Sequence, residues 1–265
     1  MKKLRLFSIV LLFVSIVLFV VFQMYTKVVK DNKPPVVTCE SEELVISVKD
    51  PSKDLFKGVK AVDKRSGDVT DTLVVEEMSA FTGDGTRVIT YAAVDESKNV
   101  GRLERVLKYK DYSEPKFNMN RSLCFPMGAN LNIFSIVSAK SSLDGDLSGN
   151  IKYNLEKTVN TLEEGSYPVT FRVMDSGGNT VYLNTEIEIL DRADSSINVF
   201  LDKYLIYLEK GDSFDPEKYY RGADREGALA IKSEVDMDKE GTYHVDYIVK
   251  GTGISGKSRL VVVVQ

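Results

Sequence analysis

The sequence predicts an all-β protein, three tandem β-sandwich domains preceded by one N-terminal transmembrane α-helix. Three observations predict it: one long apolar run at the N-terminus, one phrase that returns three times, and strict period-two alternation within that phrase.

The apolar run comes first. From Leu6 to Phe22 the chain reads LFSIVLLFVSIVLFVVF, seventeen residues interrupted only by Ser8 and Ser15, and Met24 and Tyr25 extend it. About 20 such residues span the roughly 30 Å hydrocarbon core of a bilayer. The β-branched residues that weaken a helix in water are tolerated there, because lipid leaves backbone groups only internal partners. A cleaved signal peptide is the competing reading, but the following QMYTKVVKDNK holds no small-x-small cleavage site. The expectation is a signal anchor over residues 6–25 with a short cytoplasmic tail, residues 1–5. Lys2, Lys3 and Arg5 place the N-terminus inside, although Lys27, Lys30 and Lys33 weaken the asymmetry. Everything that folds after the anchor is then extracellular.

The repeated phrase is a glycine followed six residues later by an aromatic. It occurs at Gly85–Tyr91, Gly165–Phe171 and Gly241–Tyr247, spaced 80 and 76 residues apart. Four residues beyond the aromatic stands Asp95 in the first copy and Asp175 in the second, each leading into a turn, while the third has Gly251. Upstream, Ala61–Thr70 (AVDKRSGDVT) pairs with Ala139–Ser148 (AKSSLDGDLS), and the third copy keeps a remnant at Gly222-Ala223-Asp224. Val88, Thr90, Ala92 and Val94 face one side of a strand and Ile89, Tyr91 and Ala93 the other; Tyr167, Val169, Phe171 and Val173 repeat the pattern. Restarts at Pro34-Pro35-Val36, Glu114-Pro115-Lys116 and Asp191-Arg192-Ala193 set domains at 34–112, 113–192 and 193–265, each about 77 residues long. Short linkers predict an end-to-end rod.

The order of a proline opening, A-x-D-x-x-S-G-D-V-T, G-T-x-x-x-T-Y-x-A-x-D and a Gly- or Asn-rich turn resembles the bacterial immunoglobulin-like repeat. That family occurs in tandem on surface proteins of Gram-positive bacteria and in some insecticidal crystal proteins. In the third copy, Gly211-Asp212-Ser213-Phe214-Asp215-Pro216 resembles the family's G-x-x-F-D-P phrase. The resemblance implies Ig-like sandwiches; spacers, adhesive modules and carbohydrate binders share them, so it fixes no single activity.

Charge excludes one class of partner. The first 33 residues hold six basic side chains and one acid, leaving 29 basic and 38 acidic residues, a net of −9, in residues 34–265. Nucleic acid binding needs a basic face that this chain lacks. One His and two Cys leave little for a zinc site or a nucleophile pair. Cys39 and Cys124 fall in different repeats, and the expectation is two thiols acting as small hydrophobes rather than a disulfide.

Acidic residues collect in the turns. Asp63, Asp68 and Asp95 in the first copy, and Asp144, Asp146 and Asp175 in the second, are candidate Ca²⁺ ligands. The preferred reading is turn chemistry, because short Asp side chains bond turn backbones and no run matches a calcium-loop pattern. No cofactor is expected. His244 alternates opposite Tyr243, Val245 and Tyr247 and is expected on a solvent face, with no nucleophile motif beside it. Glu42-Glu43 and Glu76-Glu77 are adjacent on strands and point to opposite faces, so neither pair shares a substrate. Tyr204, Tyr207, Tyr219 and Tyr220 cluster in the divergent third copy and are candidate partner-binding residues.

The function expected is a non-enzymatic, single-pass protein of the bacterial cell surface that presents its domains for adhesion or protein interaction. Two alternatives stand beside it: a carbohydrate- or peptidoglycan-binding surface protein, and a membrane subunit of an envelope or secretion assembly. Ser8 and Ser15, seven apart, are the hint of a packing face that the last would need.

Overall fold

The computed structural model describes residues 2–29, 31–82 and 85–265; within the N-terminal helix, side chains are described for residues 7–25. Lys30 and the side chains of Lys2, Lys3, Arg5 and Lys27, on which the orientation expectation rests, lie outside the described residues.

Helix α1 (Lys2–Val29) is longer than the 6–25 segment expected, because the basic flanks continue the same helix. Its apolar stretch Phe7–Tyr25 is 19 residues with a mean hydropathy of 2.7, and no part of it is covered by the rest of the chain. At about 1.5 Å per residue it matches the thickness of a hydrocarbon core.

The rest of the chain is all-β, built as Ig-like sandwiches, and the whole divides into two compact units, Met1–Lys110 and Asp111–Gln265. In the first unit, β1 (Val36–Cys39), β3 (Val59–Asp63) and β4 (Gly67–Asp68) form one sheet in the order β1-β3-β4. β2 (Glu43–Ile46), β5 (Val74–Met78), β6 (Thr86–Val94) and β7 (Val100–Tyr109) form the other, in the order β2-β7-β6-β5. Among the described residues of this unit, only β2 and β7 run parallel. Val37, Val59 and Ala61 from the small sheet meet Leu44, Ile89, Tyr91 and Leu107 from the large one, so the alternating residues of the repeated phrase are the core.

The second unit repeats this plan twice. β8 (Lys116–Met119), β10 (Val137–Ser141) and β11 (Gly145–Asp146) make the small sheet of the second repeat. β9 (Cys124–Pro126), β12 (Lys152–Leu155), β13 (Gly165–Met174) and β14 (Thr180–Leu190) make its large one. The third repeat has a small sheet of two strands, β15 (Val199–Leu201) and β17 (Tyr220–Ala223). Its large sheet runs β16-β20-β19-β18, with β16 (Leu205–Leu208), β18 (Ala228–Ser233), β19 (Gly241–Lys250) and β20 (Ser255–Val264).

The aromatic that closes the repeated phrase plugs each core: Tyr91, Phe171 and Tyr247 are fully buried. The two tyrosines satisfy their hydroxyls by donating to the carbonyl oxygens of Leu55 and Pro216, each in a short 3-10 turn. A buried hydroxyl without such a partner would cost about 1–3 kcal/mol. Gly256 on β20 allows a close crossing, since a Cβ there would lie 1.8 Å from the carbonyl oxygen of Ile197.

Within the second unit the apolar core of the second repeat continues into the third. Leu205 on β16 and Val261 on β20 pack with Phe117, Ile187 and their neighbours, and Tyr204, Tyr207 and Val263 extend the contact. The other faces of the same strands, with Leu260, Val262 and Val264, bury the third repeat's own core. The sheet β16-β20-β19 is thus covered on both faces, which is why its last strand reads Leu260-Val261-Val262-Val263-Val264 without alternation.

Candidate functional site

The densest polar chemistry in the described residues lies at the seam between the second and third repeats. On β20, Lys257 and Arg259 point away from their own core toward β14. Arg259 Nε lies 2.6 Å from Asp246 Oδ1, and its two terminal nitrogens reach Glu188 Oε2 at 3.0 Å and Glu186 Oε2 at 3.2 Å. Lys257 Nζ sits 2.7 Å from both Glu188 Oε1 and Asp246 Oδ2. Cross-strand pairing of Asp246 with Arg259 fixes this array, and alternation puts all of it on one face. Ser122 joins it by accepting the Arg259 backbone N–H at 3.0 Å.

The seam sets the protonation of its members. Burial opposes the charge of Asp246, but hydrogen bonds from Arg259 and Lys257 outweigh it and hold the carboxyl below its ordinary range. Burial likewise opposes the Lys257 ammonium, and Asp246 and Glu188 overcome it, so Lys257 titrates above its ordinary value. Burial, then the nearby charge of Glu188, pushes the Cys124 thiol up to about 12. That neutral thiol donates to Glu188 Oε2 at 3.7 Å. Cys39 and Cys124 are both free, and Cys39 packs against the first repeat's core.

His244 corrects the sequence expectation. It does lie on the face opposite Val245 and Tyr247, yet that face is covered: its Nε2 is 3.2 Å from Thr185 Oγ1 of β14. Burial, followed by the charge of Arg259, lowers its pKa below 6.5 against the opposing pull of Glu186, Asp246 and Glu234. Alternation identifies a face; it does not say whether another repeat sits on it.

The candidate tyrosines are spread across the third repeat. Tyr207 accepts the Phe117 backbone N–H at 2.9 Å and lies under Lys116 Nζ, 5.1 Å from its ring centroid, so it is committed to the seam. Tyr204 packs against both cores and accepts from the Leu201 N–H. Tyr219 stacks with Phe214 at 5.9 Å, and Tyr220 borders a cleft beside β18. A crevice of about 310 Å³ opens along the seam, lined in part by Arg121, Cys124, Phe125, Phe200, Tyr204 and Lys257.

The six candidate aspartates do not gather as one set. Asp63 and Asp95 come together in the first repeat, and Asp31, which the sequence reading passed over, joins them: one carboxylate oxygen from each lies within 4.8 Å of the others. Three hard oxygens so close can hold a divalent cation such as Ca²⁺. Both buried members also do turn work. Asp63 Oδ1 accepts the backbone N–H groups of Arg65 and Ser66, each at 2.7 Å, and these bonds, Ser66 foremost, lower its pKa. Asp95 Oδ1 accepts the Asn99 N–H at 2.8 Å.

In the second repeat Ser141 Oγ replaces Asp63 as acceptor for the turn. The Tyr112 hydroxyl bonds Asp175 Oδ2 at 2.7 Å and takes the Asn179 amide. Asp68, Asp144 and Asp146 are exposed and accept from Thr70, Ser176 and Ser148 respectively. The signal for Asp31 was its place three residues before Pro34, where the chain turns into β1.

No family model matches the chain. An uncharacterized 81.3 kDa protein of Acholeplasma phage L2 is 27% identical over 173 residues, which cover 63% of this chain and 23% of the phage protein. The chain thus spans about a quarter of that protein's length. Among solved structures, the CBM51-2 and INT domains of Clostridium perfringens ZmpB, in complex with GlcNAc, align at 15% identity and a TM-score of 0.25, covering 56% of this chain and 26% of that one. Extracellular cadherin domains 1–5 of protocadherin gamma B2 align at 11% identity and 0.22, covering 89% and 61%. Domains EC1–4 of Drosophila N-cadherin align at 16% and 0.23, covering 78% and 63%.

Proposed function

We propose that this chain is a single-pass protein of the bacterial cell surface, anchored by α1, whose three Ig-like repeats are presented outside the membrane for adhesion or protein interaction. The observation that carries the reading is the apolar stretch Phe7–Tyr25, none of which the rest of the protein covers. Leaving some 19 apolar residues in water is untenable, and a bilayer is the environment that satisfies them. The motif resemblance to bacterial immunoglobulin-like repeats, with its Gram-positive setting, supports the placement of the β units outside. A non-catalytic role is supported by the engagement of His244 with Thr185 and by the protonated Cys124 thiol held against Glu188.

The glycan-binding alternative rests on the seam crevice, where the exposed Phe200 ring and Arg121 stand beside Tyr204.

The test is fractionation and shaving of intact cells that carry the full chain with a tag after Gln265. The tag is expected to resist carbonate extraction with the membranes and to be removed by protease added outside. Recovery in the soluble fraction, or protection of the tag until lysis, overturns the reading.

A further inference from the structure

Strands β5, β12 and β18 hold the same place in the three repeats, each the outer strand beside the long hairpin of its large sheet. A bare outer strand offers unpaired backbone groups to any other strand, so its protection is informative. β5 is broken by a register shift between Val75 and Glu77 and carries Glu76 and Glu77. β12 is four residues long and begins with Lys152. β18 is six residues, ALAIKS, paired to β19 without a register break, free of proline and uncharged before Lys232. Of the three equivalent edges it is the least defended, its one charge, Lys232, standing at the fifth of six positions.

Its geometry decides what the edge can accept. The Glu234 N–H donates to the His244 carbonyl, so by alternation Ala228, Ala230 and Lys232 direct their backbone groups to β19. Leu229, Ile231 and Ser233 then direct theirs to the open side. Leu229 is 39% exposed, although it faces inward. With Ile231, Tyr220 and Glu217 it lines a cleft of about 490 Å³.

We propose that β18 is a self-association edge: two copies of the chain pair their β18 strands antiparallel about Ala230, joining two four-stranded sheets into one. The strand is self-complementary in this register. Leu229 meets Ile231 of the second copy in a hydrogen-bonded pair, and the reciprocal pair follows by two-fold symmetry. Four half-covered apolar side chains thus cover one another. Lys232 stands opposite Ala228 of the second copy and diagonal to its Glu226, about 7–8 Å away and within reach of both long side chains, while the same register sets Glu226 opposite Glu234 just outside the paired strands. Both residues are exposed, and neither enters an ion pair among the described residues. The same operation on β5 would set its glutamates against each other within the paired strands themselves.

The experiment uses the full chain in detergent micelles, in a Cys39→Ala/Cys124→Ala background whose circular dichroism matches the wild type. Ala230→Cys is expected to form an intermolecular disulfide on mild oxidation, because non-hydrogen-bonded partners sit about 4.5 Å apart, within disulfide reach. Ala228→Cys, equally exposed, is expected to stay monomeric, since the pairing leaves its two copies about 14 Å apart. In the wild-type background, Ile231→Lys is expected to weaken self-association by about tenfold or more in sedimentation velocity, by placing a charge on the inward side of the edge. Equal cross-linking at both positions overturns the proposal. So does association that survives Ile231→Lys without an Ala230→Cys disulfide, which would assign the contact to α1. Capture of a foreign protein by Ala230→Cys in cells, with no homodimer, would give the edge to another chain's strand and overturn it equally.

Discussion

Lys257 Nζ and Glu188 Oε1 meet at 2.7 Å across the seam of the second and third repeats, with 15% and 18% of their side chains exposed. Their neighbours Asp246, Arg259 and Glu186 make this a network of five charges rather than a pair. Removing one member of a buried network strands its partners, whereas removing matched partners together does not. Glu188→Gln is therefore expected to lower the stability of the second unit by about 2 kcal/mol or more, measured by urea unfolding. The double variant Lys257→Met/Glu188→Leu should lose less than the two single changes added together. Strict additivity would show that these charges act independently and that the seam is not a network.

The same seam predicts a pH dependence. His244 has a folded pKa depressed below 6.5, chiefly by burial and then by Arg259. The folded state therefore binds fewer protons, and the stability this group contributes is present above about pH 6.5 and lost as pH falls through its lowered folded pKa. Asp246, also held low, contributes stability that is lost only in the carboxylate range, further down. Thermal unfolding from pH 7.5 to 5.5 should show Tm falling with pH in the wild type and a flatter profile in His244→Gln. Parallel profiles would remove His244 as the cause.

What the residues revealed and what they concealed divides along one physical line. Period-two alternation placed Tyr91, Phe171, Tyr247, Val169 and Val245 in cores, because a sandwich imposes that pattern within each repeat. It placed His244 on the opposite face but left that face open, since a neighbouring repeat leaves no local signature on β19. The signature lay elsewhere, in the unbroken run Leu260–Val264, which implies a strand covered on both sides. Likewise the turn spacing that singled out Asp63 and Asp95 gave no hint of Asp31, which precedes the first strand and arrives through the chain's path.

The hydroxyls of Tyr91 and Tyr247 are each tied to one 3-10 turn, and the loss of that bond should be local. Tyr91→Phe leaves the Leu55 carbonyl without this partner, and Tyr247→Phe takes from the Pro216 carbonyl its bond to the hydroxyl. Each is expected to cost about 1–2 kcal/mol. Hydrogen exchange should rise within residues 1–110 for the first and within 111–265 for the second. Exchange that rises in both units for either variant would mean that the two do not unfold separately.

The trio of Asp31, Asp63 and Asp95 gives the sharpest test of a charge balance. Three carboxylates with oxygens inside 4.8 Å repel one another, and Asp63 and Asp95 are only 4% and 5% exposed, so water screens them weakly. Their backbone donors at Ser66, Arg65 and Asn99 account for the two that hold turns, while Asp31 accepts only the nearby Lys33 N–H among the bonds of its carboxylate given by the described residues. In chelator, Asp31→Asn should therefore raise Tm, because it relieves repulsion and keeps an oxygen for Lys33. A lowered Tm would show that the charge itself is needed. Calcium titration is the companion measurement: a rise in wild-type Tm that Asp31→Asn abolishes would make the trio a cation site, and an unchanged Tm would leave Asp63 and Asp95 as turn-holding carboxylates.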